Sequence, residues 1–538
     1  MNQLKSIVRA GLLGVSLVVA SCGSLDLVPY NEQTSASVYN DPNSYRQVLA
    51  KVYAGLAVTG QAGPAGRPDI SGGDEGFSSY LRQYWQLQEL TTDEAIIRWN
   101  DAGLPDLHNM TWTAGNQFIQ ALYYRLFYQI TLCNEFIRES TDAKLSERGQ
   151  SGQVATDVRR YRAEARFMRA LSYYHAIDLF GNVPFVTEAD APGAFFPRQT
   201  TRTELFNYVE SELKAIEGDL ADARTNEYGR ADKAAAWMLL AKLYLNAQVY
   251  TGTAKWTEAA DYSARVIRAG YVLTPSYTNL FRTDNNTSRE IIFPIAFDGT
   301  RTRTWGGMTY LVNAQIGGSL TSKIPNSDIT FGERDFGVAG GWAGLRTTSA
   351  LVNKFTNGDS RAQFWRDGQT VEITDPSEFT QGLAVTKYRN ISSTGAIGSD
   401  PGKTFPDTDY PLFRLAEAHL TYVEAVLRGG TAATLPGDGS PIGLINALRQ
   451  RAFGNASGNL TAINLQTVLD ERARELFFEG TRRTDLIRYG QFTTAAYLWP
   501  WKGGVQNGRA VEDFRNLFPI PSAELIANPS LRQNDGYR

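Results

Sequence analysis

Cysteine and histidine are nearly missing from this chain: two and three residues in 538. No pair or cluster of them has metal-ligand spacing, so the sequence predicts no zinc centre. Cys133 sits inside the apolar helical run YYRLFYQITLCNEFI and reads as a small core residue. Cys22 belongs to the leader, so no disulfide is expected within the mature chain. A surplus of positive charge is also missing. Lys and Arg total 53 against 56 Asp and Glu, for a net charge of −3. That balance offers nothing to a nucleic acid. The one strongly apolar run, GLLGVSLVVA, is too short to stay in a bilayer as a permanent span. No G-x-S-x-G, H-E-x-x-H or phosphate-cradling glycine loop occurs. No cofactor is expected.

Aromatic side chains are what the chain has in quantity: 26 Tyr, 26 Phe and 10 Trp. A large core absorbs most of them, and a few on loops would suit stacking on a ligand. With 20% charged residues the chain is globular. Residues 1–21 read as an export signal, with Lys5 and Arg9 ahead of the apolar run. The run ends in Val19-Ala20-Ser21-Cys22, the pattern of a bacterial lipobox. Cys22 would then become the acylated first residue of the mature protein, tethering it to a membrane.

Helical periodicity dominates both ends of the mature chain. In RRYRAEARFMRALSYYHAIDLFGNVPF (159–185), Phe167, Ala170, Leu171 and Tyr174 make one stripe. Met168, Ser172, His175 and Leu179 make another, which predicts a long helix buried on more than one side. Gly181 stands where such a helix ends, and Pro184 forbids continuation. Further helices are expected at 45–56, 116–138 and 203–219, with a Gly- and Pro-rich loop at 60–76. Trp237, Leu240, Ala241 and Tyr244, then Ala260, Ala264 and Ile267, fit the two helices of a tetratricopeptide unit. In that reading Trp237 packs inside the pair. A degenerate copy has Leu412, Leu415, Ala416 and His419, then a helix from Pro441 to Ala452. The fold class expected is mostly α, with helix pairs forming a scaffold. Between the copies, residues 291–402 are rich in Gly, Thr, Ser, Asn and aromatics. They read as loops and short strands, too long for a plain linker and placed where binding residues tend to sit.

Two chemistries compete for the function. A glycosidase needs two carboxylates facing one cleft, about 5 to 9.5 Å apart. Asp93 and Glu94 are adjacent and would diverge on a helix. Glu471, Glu475 and Glu479 share a helical face, but they stand among Arg472, Arg474, Arg482 and Arg483 and read as a structural network. A sugar-binding surface instead needs aromatic faces with polar groups at the rim. Trp99 and Asp101, in a turn-prone segment, have that character. So do Arg303, Trp305 and Tyr310 in GTRTRTWGGMTY, and Trp342 in GGWAG.

Five stretches together resemble the SusD/RagB family. They are the lipobox followed by LDLVP, the 159–185 helix with LFGNVPF, YPLFRLAEAHLTYVEA, ERARELFFEGTRRTDLIRYG, and the closing LFPIP with its QNDGY. The resemblance implies an outer-membrane lipoprotein of mostly α fold, facing outward. Its irregular segments would carry the ligand site. It also implies a SusC-like TonB-dependent transporter as partner, for which the protein captures oligo- or polysaccharide. On this reading the chain divides into a signal (1–21), an N-terminal region (22–280) and a C-terminal region with the ligand loops (281–538). TTDEAIIRWND resembles the family's starch-binding founding member, which makes a starch-like α-glucan the leading ligand. A surface polysaccharide hydrolase and a peptide-binding relative are the alternatives.

Overall fold

A computed structural model describes residues 35–537 apart from 65, 71–72 and 194. The signal, Cys22 and LDLVP lie outside these residues. Ten helices of ten residues or more organise the rest. They are α1 (Pro42–Ala54), α2 (Tyr80–Glu89), α3 (Gln117–Glu139), α4 (Gly152–Leu179), α5 (Arg202–Ile216), α6 (Lys233–Leu245), α7 (Trp256–Arg268), α8 (Leu415–Leu427), α9 (Pro441–Phe453) and α10 (Leu465–Leu476). Sequence neighbours pack as pairs: α3 on α4, α4 on α5, α6 on α7, and α8 on α9. Helix α7 also packs along α8, which joins the two tetratricopeptide-like pairs across 146 intervening residues (269–414).

The 159–185 helix starts earlier than its stripes suggest, at Gly152, and runs 28 residues. Every residue from Phe167 to Leu179 is buried, so both predicted stripes face protein. Its end follows the predicted signal. Phe180 and Gly181 both donate to the Ala176 carbonyl, and Gly181 takes a left-handed φ of 72°. Helix starts use their own side chains. Asp232 accepts from the amides of Ala234 and Ala235 ahead of α6, and Ser440 accepts from Gly443 with Pro441 at the first turn of α9.

Four two-stranded antiparallel ladders pin the irregular segments. These are β1 (Ile96–Ile97) with β5 (Leu345–Arg346), β2 (Val183–Pro184) with β3 (Gln199–Thr200), β4 (Ile291–Ile295) with β8 (Tyr410–Arg414), and β6 (Phe364–Trp365) with β7 (Ala384–Val385). Leu412 therefore lies on a strand. The second helix pair starts only at Leu415, because Arg414 before it is extended. The 291–402 segment also contains three short α-helices, Gly307–Asn313, Phe331–Phe336 and Ser349–Val352, too brief to show a period. Trp237 corrects a further expectation. It is only half-buried, packed at the edge of the core, and its indole N–H donates to Glu217 at 3.0 Å, just past the end of α5.

The carboxylate-rich segment forms an interior ion network. Helix α10 stops at Leu476, so Glu479 lies beyond it, in a turn where Phe478 is held at φ 64°. Trp85 Nε1 and Tyr388 Oη donate to the Phe478 carbonyl at 2.9 and 3.0 Å, and its amide donates to Glu94. Glu475 accepts from Arg361, Arg414 and Arg451, while Glu479 accepts from Arg414 and Lys387. Of the four nearby arginines, only Arg474 joins Glu471. Arg472 pairs with Asp485, Arg482 with Asp93, and Arg483 holds the carbonyls of Arg515 and Asn516. A structural network is present as expected, but its main partners come from distant segments. None of the described helices is long and apolar enough to cross a membrane.

Candidate functional site

The β1–β5 ladder builds the site. Ile96 pairs with Arg346, Ile97 with Leu345, and the Arg98 amide donates to the Gly344 carbonyl at 2.9 Å. Trp99 emerges just past this ladder on one strand and Trp342 just before it on the other. The Trp99 indole N–H donates to the Trp342 carbonyl at 3.0 Å, and the two rings lie 6.3 Å apart. Gly344 permits this approach: a Cβ there would come within 2.6 Å of the Trp99 ring. The 342–344 loop is strapped to the end of the Gly307–Asn313 helix. Trp342 donates to Asn313, Ala343 to Ile316, and Gly344 to Ala314, at 2.8–3.0 Å.

Trp305 enters from the start of that same helix. Its ring lies 6.3 Å from Trp342 and 5.0 Å from Phe405. Gly306 beside it sits so close to α2 that a Cβ would strike the Ser79 hydroxyl. Trp99, Trp342 and Trp305 thus form a continuous row from three separate segments, and each is half-buried. Arg303 is exposed with its guanidinium 4.5 Å over the Phe405 ring. Asp101 is exposed two residues from Trp99.

Tyr310 differs from its expected role. It is fully buried, so it offers no face to a ligand. Its ring edges Trp99 at 5.9 Å and Trp85 at 5.7 Å, and its hydroxyl accepts from Gln86 at 3.1 Å. Burial pushes that hydroxyl's pKa well above the usual tyrosine range. Tyr310 is the floor of the site. Sequence reasoning missed Arg82, whose guanidinium lies 4.4 Å over Tyr310 and 5.8 Å from Trp99. Its Nη1 donates to the Gly76 carbonyl at 2.8 Å. Arg82 belongs to an unremarkable helical run, and only the tertiary fold brings it beneath the tryptophans. Phe405 was missed for the same reason.

The carboxylates weighed for catalysis do not meet in a cleft. Asp93 has both oxygens on Arg482, at 2.7 and 2.9 Å, and accepts from the Tyr497 hydroxyl at 2.6 Å. Burial alone would raise its pKa, but Arg482 more than offsets this and holds it below the ordinary value. Glu94 goes the other way: burial, and Glu89 beside it, push it well up. Glu471 is buried too, yet Arg361, Arg474 and Arg449 hold it down at about 2. Glu475 and Glu479 are equally inaccessible. Among the described residues no group of three His, Cys, Asp or Glu side chains is placed to hold a metal.

Comparison with known proteins agrees with this architecture. Residues 359–537 match the family described as SusD family, and residues 25–245 match one described as "Starch-binding associating with outer membrane". The chain is 37% identical to the starch-binding protein SusD of Bacteroides thetaiotaomicron, over the full length of both. Its fold is similar to surface glycan-binding protein A from Bacteroides fluxus, with a TM-score of 0.69 at 23% identity, covering 92% of this chain and 99% of that one. The corresponding protein from B. thetaiotaomicron, solved with laminarihexaose, gives 0.68 at 19% identity, covering 91% and 99%. With a full-length relative at that identity, the chain belongs to the SusD/RagB family.

Proposed function

We propose that this protein is a cell-surface glycan-binding lipoprotein and that the Trp99–Trp342–Trp305 row is its ligand platform. The observation that carries the reading is the row itself: three half-buried indoles from distant segments, locked by a ladder and by close-packed glycines. A sugar ring lays its C–H face on such an indole and turns its hydroxyls to the rim, where Asp101 and Arg303 stand. A starch-like α-glucan is the leading ligand, supported by the full-length relative named for starch binding. Binding is weak per site, because sugar hydroxyls must give up water and only the surplus counts.

The role is capture without cleavage. The paired, buried state of Asp93, Glu94, Glu471, Glu475 and Glu479 supports it, since none is free to reach a glycosidic bond. Acylation at Cys22 would anchor the protein in the outer membrane, facing outward. The tether would raise its effective concentration beside a SusC-like TonB-dependent barrel that takes up the captured glycan. Residues 281–538 would carry most of the platform, with Trp99 and Asp101 contributed by residues 22–280.

Affinity electrophoresis through gels containing starch, β-glucan or mannan, with peptide controls, tests the reading. Retardation by a polysaccharide with no new reducing ends supports it. Retardation by none of them, or release of reducing ends, overturns it. Replacing Cys22 with Ala should move the protein from the membrane fraction to the soluble one.

A further inference from the structure

A second cleft lies between the 70–78 segment, just ahead of α2, and the start of α3. It encloses about 340 Å³, within the range of small-molecule pockets. The half-buried Phe77 and Tyr124 line it, and Gln117, Gln120 and Asp74 supply polar groups. Two links join it to the tryptophan row. The Arg82 guanidinium that stacks under Trp99 donates to Gly76, next to Phe77. Gln117 Nε2 donates to the carbonyl of Ala102, next to Asp101.

The cleft's polar atoms are only partly used. Asp74 spends one oxygen on the amides of Gly76 and Phe77, which leaves the other as an acceptor. Gln117 and Gln120 each commit their amide N–H, to Ala102 and Tyr124, and keep a carbonyl oxygen. Among the described residues of the wall the single cation is Arg125, turned inward onto Ser78, Asp69 and Thr59 with 1% of its side chain exposed. Aromatic faces, acceptors without a free cation, and this volume suit a neutral polyhydroxylated ring. They do not suit an anion.

We infer that this cleft is a second glycan subsite, which takes sugar units of a chain already seated on the tryptophan row. The inference rests on the glycan-binding reading above. It makes the protein select for chain length: a short oligosaccharide fills the tryptophan row alone, and a longer one gains the Phe77–Tyr124 cleft.

Calorimetry with maltotriose and maltoheptaose tests it on wild type, Gln120→Ala, Ala121→Trp and Trp99→Ala. Ala121 lines the cleft, and a tryptophan there would fill it. Wild type should bind the heptaose more tightly than the triose. Ala121→Trp should weaken heptaose binding roughly tenfold and Gln120→Ala several-fold, the size of one or two lost contacts. Triose affinity should be unchanged in both, which also shows that they are folded. Trp99→Ala should lose both sugars. Equal affinity for the two lengths in wild type, or unchanged heptaose affinity in both cleft variants, overturns the second subsite alone. Wild type that binds neither sugar, or Trp99→Ala that binds both as wild type does, overturns the underlying reading and this inference with it.

Discussion

The ion network around α10 and the tryptophan row make an instructive pair. Both gather residues from distant segments, and both are held rigidly. In the network every carboxylate is buried and answered by arginine or lysine: Glu290, Glu471, Glu475 and Glu479 by Arg361, Arg414, Arg449, Arg451 and Lys387. In the row the tryptophans are half-buried, and Asp101 and Arg303 beside them are exposed, while Arg82 beneath is buried. Groups whose bonding capacity is filled internally hold the fold. Groups left with an open face can hold a ligand. The chain's densest charge is therefore structural, and its capacity to bind lies in nearly neutral loops.

Acid should break the network most completely. Glu471 and Asp485 are held at about 2, where burial opposes ionisation but their arginines prevail. In the unfolded chain such groups titrate near 4.3 and 3.9. The unfolded state thus takes up protons first, and the stability these groups contribute above about pH 4.3 is lost as pH falls toward 2. Burial also lowers His108 and His419 to about 4 and His175 to about 3. The unfolded state protonates them from about pH 6.5 downward, which has the same sign. Glu89 and Asp409 oppose this: burial raises them to about 7 and about 6, so their protonation in the fold is stabilising as pH falls from 7. The melting temperature should change little between pH 7 and 5 and drop steeply below about 4.5. A flat profile down to pH 3 would contradict the network's role.

Removing one arginine comes next in size. Arg414→Ala leaves Glu290, Glu475 and Glu479 buried with a missing partner, which costs about 3–5 kcal/mol. Denaturant unfolding measures this, and sugar binding by the folded fraction should be unchanged. Within the row the order differs. Trp99→Ala should cost about 1–3 kcal/mol of stability, because Trp99 also bonds the Trp342 carbonyl and packs on Gly344. Trp305→Ala should cost less, since its ring touches only Trp342 and Phe405 among aromatic neighbours. Trp237→Ala on the scaffold should cost about 1–2 kcal/mol, below the ~3–5 of a fully buried aromatic. A loss as large as that of Arg414→Ala would return Trp237 to the core. Asp101→Ala is the smallest change: about 0.5–1.5 kcal/mol of binding, seen by calorimetry, with no shift in melting temperature.

The scaffold was legible because local signals and tertiary packing agree. The stripes of α4, the Gly181 stop and the repeated small-residue pattern of α6 each state a helix and its buried faces within a short window. Leu412 misled because its spacing matches a helix while the extended Arg414 and the partner strand β4 make it a ladder residue. The tryptophans could be nominated singly, from polar flanks, but not as a row, since their order in space follows from a two-rung ladder and two glycine contacts. Arg82 and Phe405 carried no local signal at all. Tyr310 showed the right composition and the wrong exposure, because every residue of its short helix, Gly307–Asn313, is buried.

The most direct test of the central claim is calorimetry of Trp99→Ala/Trp305→Ala against wild type, with soluble starch-derived oligosaccharides. The tryptophan row predicts that wild type binds and the double variant shows no heat of binding, while circular dichroism confirms the helical fold is retained. A folded double variant that binds as tightly as wild type would contradict it.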